Sequence, residues 1–391
     1  DDVTTMGEIF QDQGYATGYI GKWHLEWSRT PFIPPERRRG FEYWAAFNCS
    51  HQHLNASYFT DENEPIRFEK YEPEGQVDLA IDFIDRHRDG PFCLVMSWGP
   101  PHDPYKAPDE YMDLFPPENI QLGANFHEHD IVDELIATDP IPPGGAAVQA
   151  RAKRRASRLP EPIHRQRMQG YLAATRALDD CMGRLLDAID QRGLGENTIV
   201  VFTSDHGDMI GSHTMESKQC PLEESIGIPF LVRYPDAIPT GVETDALLGP
   251  TDMLPTLLGL AGLDRPESVA FDGLDLQEAA LGGASDHRDA ILIMKMTEGG
   301  NPYALNALRP WRGVKTKRYT YARRLDLGPW LLFDNEADPH QLNNLIDDPS
   351  YTDLVTEMET TLDRLLEEAG DPCDTAAIDE YRQRRKDGEL P

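Results

Sequence analysis

The sequence predicts an α/β fold: a central, mostly parallel sheet sandwiched by helices, followed by a small C-terminal α+β subdomain. Three observations carry this expectation. Helical stripes alternate with short, fully apolar runs rather than half-polar ones, the pattern of a parallel sheet covered on both faces. At 391 residues, 39% hydrophobic and 27% charged, the chain has the composition of a folded protein with room for one large unit and one smaller one. A break at Gly282-Gly283-Ala284-Ser285 separates them, which predicts units over 1–284 and 285–391.

Val77, Ile81 and Ile84 form one helical stripe, and Gly90-Pro91 then opens the strand Phe92 to Trp98. The longest helix is expected from about Arg165 to Arg192. Its apolar positions are Met168, Leu172, Thr175, Leu178, Met182, Leu185 and Ile189, three or four apart, and Gly193 supplies the stop. The β-branched run Thr198 to Ser204 and the segment Ile228 to Tyr234 read as buried strands. Gly123 to Pro162 has no sustained period and reads as a long excursion from the core. Past the break, strands at Ala290–Met296, Val314–Tyr321 and Trp330–Phe333 lead to a last helix from about Tyr351 to Ala369.

Lys and Arg number 37 against 68 Asp and Glu, a net charge of 37 − 68 = −31, which excludes a general nucleic-acid binder. Within Arg151 to Arg167, seven basic residues face the single Glu161, a local +6 able to receive a polyanion or simply to meet solvent. No apolar run approaches the roughly 18 residues of a membrane span. The five cysteines (Cys49, Cys93, Cys181, Cys220, Cys373) are scattered, with no C-x-x-C pair, which excludes a disulfide scaffold.

Four clusters could do chemistry, three of them at expected strand ends, where open α/β sheets bind ligands. Ser204-Asp205-His206-Gly207 offers two adjacent metal-capable side chains, or only a turn. In Gly21-Lys22-Trp23-His24 the i, i+2 spacing places Lys22 and His24 on one face of an extended segment, a cation beside an imidazole. His102 lies between prolines in Pro100-Pro101-His102-Asp103-Pro104. Lys218 follows in Gly211-Ser212-His213-Thr214-Met215-Glu216-Ser217-Lys218, where His213 is a further candidate for substrate contact. A solvated lysine, a hydrogen-bonded histidine or a rigid turn accounts for each cluster taken alone. Together they make the inventory of a metal-assisted oxyanion site.

In this order the motifs resemble the sulfatase family of the alkaline-phosphatase-like superfamily. The likeness runs from Gly14-Tyr15-Ala16-Thr17 through Gly21-Lys22-Trp23-His24-Leu25, His102, Leu178-Asp179-Asp180, Ser204 to Gly207, Lys218 and Leu222-Glu223-Glu224-Ser225. It continues to Trp311-Arg312-Gly313-Val314-Lys315, Leu332-Phe333-Asp334 and Asn343-Asn344-Leu345, nearly the whole chain. The resemblance implies that Asp205 and His206 ligate a divalent metal. That metal is usually calcium; hard oxygen ligands favour calcium or magnesium, while an imidazole would also accept manganese or zinc. It implies that Lys22 and His24 hold and assist the nucleophile, and that His102 and Lys218 contact the sulfate, one of them protonating the leaving alcohol. The substrate would be an organic sulfate ester, including a sulfated polysaccharide, and the compartment periplasmic or secreted.

The family's Cys/Ser-x-Pro-x-Arg motif, whose first residue becomes the formylglycine nucleophile, does not occur, nor does the earlier Asp-Asp pair of the metal site. The expectation is a fragment, inactive by itself, whose nucleophile lies upstream of residue 1. Gly227 stands where many relatives have Arg. Two other functions use the same residues: a phosphonate monoester hydrolase or phosphodiesterase of the same superfamily, and a non-catalytic protein that binds sulfated glycans.

Overall fold

The computed structural model describes residues 3–26, 30–126, 160–296, 310–324 and 328–371. After helix α1 (Met6–Asp12), strand β1 (Ala16–Lys22) forms the middle of a three-stranded parallel sheet, with β2 (Tyr43–Phe47) on one side and β5 (Phe92–Ser97) on the other. Its five central residues are buried, as expected for a strand covered on both faces. Successive side chains point to opposite faces. Ile20 therefore packs with Ala80, Phe83 and Ile84 of helix α2 (Glu72–His87) and with Leu185 and Ile189 of the long helix α4 (Glu161–Gln191). Tyr19 joins Trp23, Phe41 and Trp44 in an aromatic cluster on the other face. At Gly21, φ is +110° and a Cβ would lie 2.1 Å from the Ser97 carbonyl oxygen, so only glycine lets β1 and β5 run this close just before Lys22.

Between β2 and α2 lies a short antiparallel hairpin, β3 (Ser57–Tyr58) and β4 (Ile66–Arg67). Between β5 and α4 lies the single turn α3 (Asp109–Met112). Helix α4 is where sequence periodicity expected it, but its buried face is different. Gly170, Ala173, Ala174, Ala177, Cys181 and Ala188 are buried with Leu178, Leu185 and Ile189, while Thr175 is exposed and Met168, Leu172 and Met182 are only half-buried. Backbone comes very close to this face at Gly170, where a Cβ would lie 1.9 Å from the Tyr105 carbonyl oxygen, and Ala173 and Ala174 pack beside it on Ala107, Tyr111, Met112 and Phe115.

The strands β6 (Val200–Thr203) and β7 (Phe230–Arg233) pair antiparallel with each other, Val200 opposite Arg233. Both were expected to be buried. Instead most of their residues are half-exposed, and Leu231 is 64% exposed. Between and beyond them come α5 (Glu223–Ile226), α6 (Pro250–Leu260) and α7 (Gln277–Ala280).

The C-terminal sheet is antiparallel in the order β11-β10-β9-β8, from β8 (Ala290–Lys295), β9 (Trp311–Thr316), β10 (Tyr319–Arg324) and β11 (Gly328–Asp334). The segment read as one strand, Val314 to Tyr321, is the turn of the β9–β10 hairpin, since a polar Lys317-Arg318 pair in a β-rich run does not announce a reversal. One face of this sheet packs on α8 (Thr352–Glu368) through Val314, Tyr321, Leu332, Met358, Leu362 and Leu366. The other face holds Trp311, Trp330, Leu331 and Phe333 against Met209, Met215, Cys220 and Leu222, residues that precede the Gly282–Ser285 break. The core is thus continuous across the expected boundary.

Much of the Gly123–Pro162 excursion, with Arg151, Lys153, Arg154, Arg155 and Arg158, lies outside the described residues, as does Cys373. Arg165 pairs with Glu161 and Arg167 with Glu216. Cys49, Cys93, Cys181 and Cys220 are free thiols. Among the described residues, no helix is long and apolar enough to cross a membrane.

Candidate active site

Three loops meet at the ends of β1, β5 and β6. Lys218 Nζ stands 2.9 Å from His102 Nε2 and 2.7 Å from His206 Nε2, so one ammonium bridges two imidazoles from different loops. The other face of each ring fixes its tautomer. His102 Nδ1 donates to the Asp103 backbone oxygen at 2.9 Å and lies 3.0 Å from its carboxylate, while His206 Nδ1 donates to the Gly207 carbonyl at 2.8 Å. Each Nε2 is left with its lone pair turned to Lys218, and the ammonium keeps a third N–H for a ligand.

Charge at this point is tuned by burial. Desolvation lowers the pKa of Lys218, with Asp205 opposing it. Desolvation also lowers the pKa values of His206 and His24, and for His24 the nearby cations Lys22 and Lys218 add to the effect. Asp103 is held at about 2 by its bond to His102. Asp208 is pushed up by burial, although the Ile210 N–H and, at 2.9 Å, the Tyr105 hydroxyl donate to it.

Lys22 ends β1, and His24 follows not in extended backbone but at φ 51°, its N–H donating to the Asn48 carbonyl at 2.7 Å. The two do share one electrostatic neighbourhood, by way of a turn rather than by strand alternation. His213 is a correction. It is 0% exposed, with φ 52°, and its N–H donates to the Asn125 carbonyl at 2.8 Å, which makes it part of the packed turn behind Lys218 rather than a surface able to meet substrate. That turn is tied down by Met209 N–H to the Ser217 carbonyl at 2.8 Å and by Trp311 Nε1–H to the Gln219 carbonyl at 3.3 Å.

The carboxylate of Asp205 is 81% exposed and lies 3.3 Å from His206 Nε2. Its Oδ1 accepts the His206 backbone N–H at 3.1 Å, and the exposed carboxylate oxygens are of the kind that suits a hard divalent cation. The His206 ring is turned to Lys218 and would serve such a cation only if the ammonium gave way. Among the described residues no group of three or more His, Cys, Asp or Glu side chains could hold a metal, so Asp205 and His206 fit as part of a site.

Sequence reasoning missed the support beneath His102. His53 and Glu72, whose side chains are 2% and 1% exposed, stand 2.9 Å apart (Nδ1 to Oε2), and His53 Nε2 reaches the His102 carbonyl oxygen at 3.2 Å. The other Glu72 oxygen receives Gly99 N–H at 3.2 Å and Gln76 Nε2–H at 3.0 Å. His51 was missed too; its ring lies 4.7 Å from that of His102. A glutamate in the first turn of a helix and two histidines in a loop carry no signal of their own in the sequence.

The chain is similar in sequence and fold to known proteins. The sulfatase family model matches residues 1–263, and that of the N-sulphoglucosamine sulphohydrolase C-terminal region matches residues 211–368. An ulvan-active sulfatase of Formosa agariphila is 36% identical over 94% of this chain and 66% of its own length. An endo-4-O-sulfatase of Bacteroides thetaiotaomicron is 28% identical over 97% and 76%. The solved sulfatase yidJ of Bacteroides fragilis, 29% identical, superposes with TM-score 0.75 over 95% of this chain and 78% of that one. The phosphonate monoester hydrolase of Agrobacterium radiobacter, at 20% identity and TM-score 0.68, shares the fold.

Proposed function

The chain belongs to the sulfatase family, and from that premise we propose that it serves the hydrolysis of sulfate esters carried by a carbohydrate. The observation that carries the reading is the Lys218 ammonium set between His102 and His206, one N–H still available to a sulfate oxygen. Lys22, on the same side, adds a second cation to offset the charge that grows on the sulfuryl oxygens. The couple of Lys218 and His102 is suited to hand a proton to the departing alcohol. Burial loosens the lysine's hold on its proton, and Asp103 keeps the imidazole oriented. His24, kept neutral by burial and by its cationic neighbours, is suited to take a proton during turnover of the nucleophile.

The nucleophile in this proposal is a formylglycine supplied from outside residues 1–391, since no Cys/Ser-x-Pro-x-Arg sequence occurs within them. A divalent cation, calcium being the first choice for Asp205, would be held there by Asp205 and His206 and would supply Lewis-acid stabilisation of sulfate oxygens. A periplasmic or secreted location is part of the same reading. The names of the relatives, an ulvan-active sulfatase and an endo-4-O-sulfatase, support a saccharide as the alcohol.

The test is sulfate release from sulfated oligosaccharides by the complete polypeptide, with His102→Ala and Lys218→Ala expected to remove most of the turnover. Full activity in both variants refutes the assigned roles. A higher kcat/KM on a phosphodiester than on a sulfate of the same alcohol would transfer the site to phosphoryl chemistry.

A further inference from the structure

We propose that the cleft beside His102 is a second anion-binding subsite, taking a carboxylate or a second sulfate on the sugar part of the substrate, with Lys106 as its cation. This deepens the sulfatase reading and rests on it. The cleft has a volume of 160 Å³ and is lined by His51, Gln52, Leu54, Asn55, Pro104 and Lys106. It adjoins the reaction site through His51, whose ring is 4.7 Å from that of His102 and whose Nδ1 meets the Asp103 backbone oxygen at 3.2 Å. A ligand held at His102 and larger than a sulfate group therefore extends over this cleft.

The charge pattern names the ligand class. In a chain of net charge −31, cations find carboxylates easily. Among the described residues Lys70 pairs with Asp78, Lys315 with Glu223, and Lys317 with Asp245 and Asp286, while Lys295 is buried in the C-terminal sheet. Among the described residues Lys22, Lys106 and Lys218 form no ion pair. Two of these stand at the reaction centre, and the third lines the cleft next to it. Arg67, which donates to the Asn55 side-chain oxygen, adds positive charge near the cleft. The walls suit a sugar ring: Leu54 and Pro104 offer apolar surface to its C–H face, Gln52 and Asn55 offer amides to its hydroxyls.

Affinity is measured on the 391-residue chain by calorimetry or NMR titration, without turnover. Three tetrasaccharide probes are compared: galacturonate, sulfated galactose and neutral galactose. The expected result is binding of an anionic probe that weakens about two- to fivefold in Lys106→Ala, the factor for one exposed ion pair. The neutral probe is unaffected, and so is anionic binding in Lys70→Ala, whose lysine is exposed but already paired. A response confined to the galacturonate probe assigns the subsite to a carboxylate, and one confined to the sulfated probe assigns it to a second sulfate. Unchanged affinity of Lys106→Ala for both anionic probes, or no binding of either to the unaltered chain, overturns the proposal. Lys106-dependent binding in a protein whose complete form releases no sulfate would refute the sulfatase reading and leave the subsite standing. Sulfate release with Lys106-independent binding would do the reverse.

Discussion

Replacing Glu72 by Gln tests how His102 is held. His53 Nδ1 faces a Glu72 oxygen and Nε2 faces a backbone carbonyl oxygen, and a carbonyl can only accept. Both ring nitrogens thus face oxygen atoms in a site almost closed to water. Glu72→Gln keeps the shape but replaces one of the two carboxylate oxygens that serve His53, Gly99 and Gln76 by an N–H donor. Removing one partner of a buried ion pair costs about 3–5 kcal/mol. The amide retains part of the network, which puts the expected loss near the lower end, about 3 kcal/mol. Urea unfolding of the unaltered chain, Glu72→Gln, His53→Gln and the double variant measures it, and the cycle should return a coupling of about 2 kcal/mol or more. A loss below about 0.5 kcal/mol, the usual scatter of a neutral surface change, would refute the reasoning.

Two other outcomes follow from the same geometry. His24 and His51 both have pKa values lowered from 6.5, first by burial and then by cationic neighbours, so the folded chain binds protons less readily than the unfolded one. Their contribution to stability is fully present above about pH 6.5 and is lost as pH falls through the lowered folded-state values. A thermal unfolding series from pH 8 to 5 should show this decline, and it should be shallower in His24→Gln; equal slopes would remove His24 from the account. In α4, Gly170→Ala puts a Cβ 1.9 Å from the Tyr105 carbonyl oxygen, whereas Gly183→Ala meets nothing within 4 Å. The first should destabilise by about 2 kcal/mol through overpacking, and the second should stabilise by up to about 1 kcal/mol through helix propensity. The same sign at both positions in a denaturant titration would contradict the close approach.

What was legible in the sequence depended on whether a residue's role is local. Lys22, His102, Asp205 and Lys218 stand at or just beyond strand ends or in a marked loop, and the chain around each one announces it. Their convergence on Lys218 was not legible from spacing, because 116 residues separate it from His102. Glu72 looked like an ordinary acid in the first turn of a helix, yet the fold buries it beneath Gly99 and His53. The buried face of α4 was misassigned for a related reason. Hydrophobic periodicity counts large side chains, whereas close helix packing selects Gly and Ala, which carry little hydrophobic signal. Strand direction was equally hidden, because β6 and β7 are apolar runs whose composition fits a parallel or an antiparallel partner.

The placement of Lys218 depends on a part of the chain remote from the other active-site residues. Lys22 and His102 stand at the ends of strands in the parallel sheet, but the loop that carries Lys218 packs through Met209, Met215, Cys220 and Leu222 onto Trp311, Trp330, Leu331 and Phe333 of the C-terminal sheet. Phe333 is fully buried there. Phe333→Ala should cost about 3–5 kcal/mol, and that loss should fall on the lysine loop before it reaches the parallel sheet. Hydrogen exchange separates the two. The amides of Met209 and Gly211, bonded to the Ser217 and Met215 carbonyls at 2.8 and 2.7 Å, should lose about 100-fold or more of their protection. The amide of Trp23, bonded to the Phe47 carbonyl at 2.8 Å beside Lys22, should lose far less. Equal losses at Met209 and Trp23 would mean that the parallel sheet and the C-terminal sheet open together. In that case the C-terminal sheet would be no separate support for Lys218, and a substitution in it would disturb Lys22 as much as Lys218.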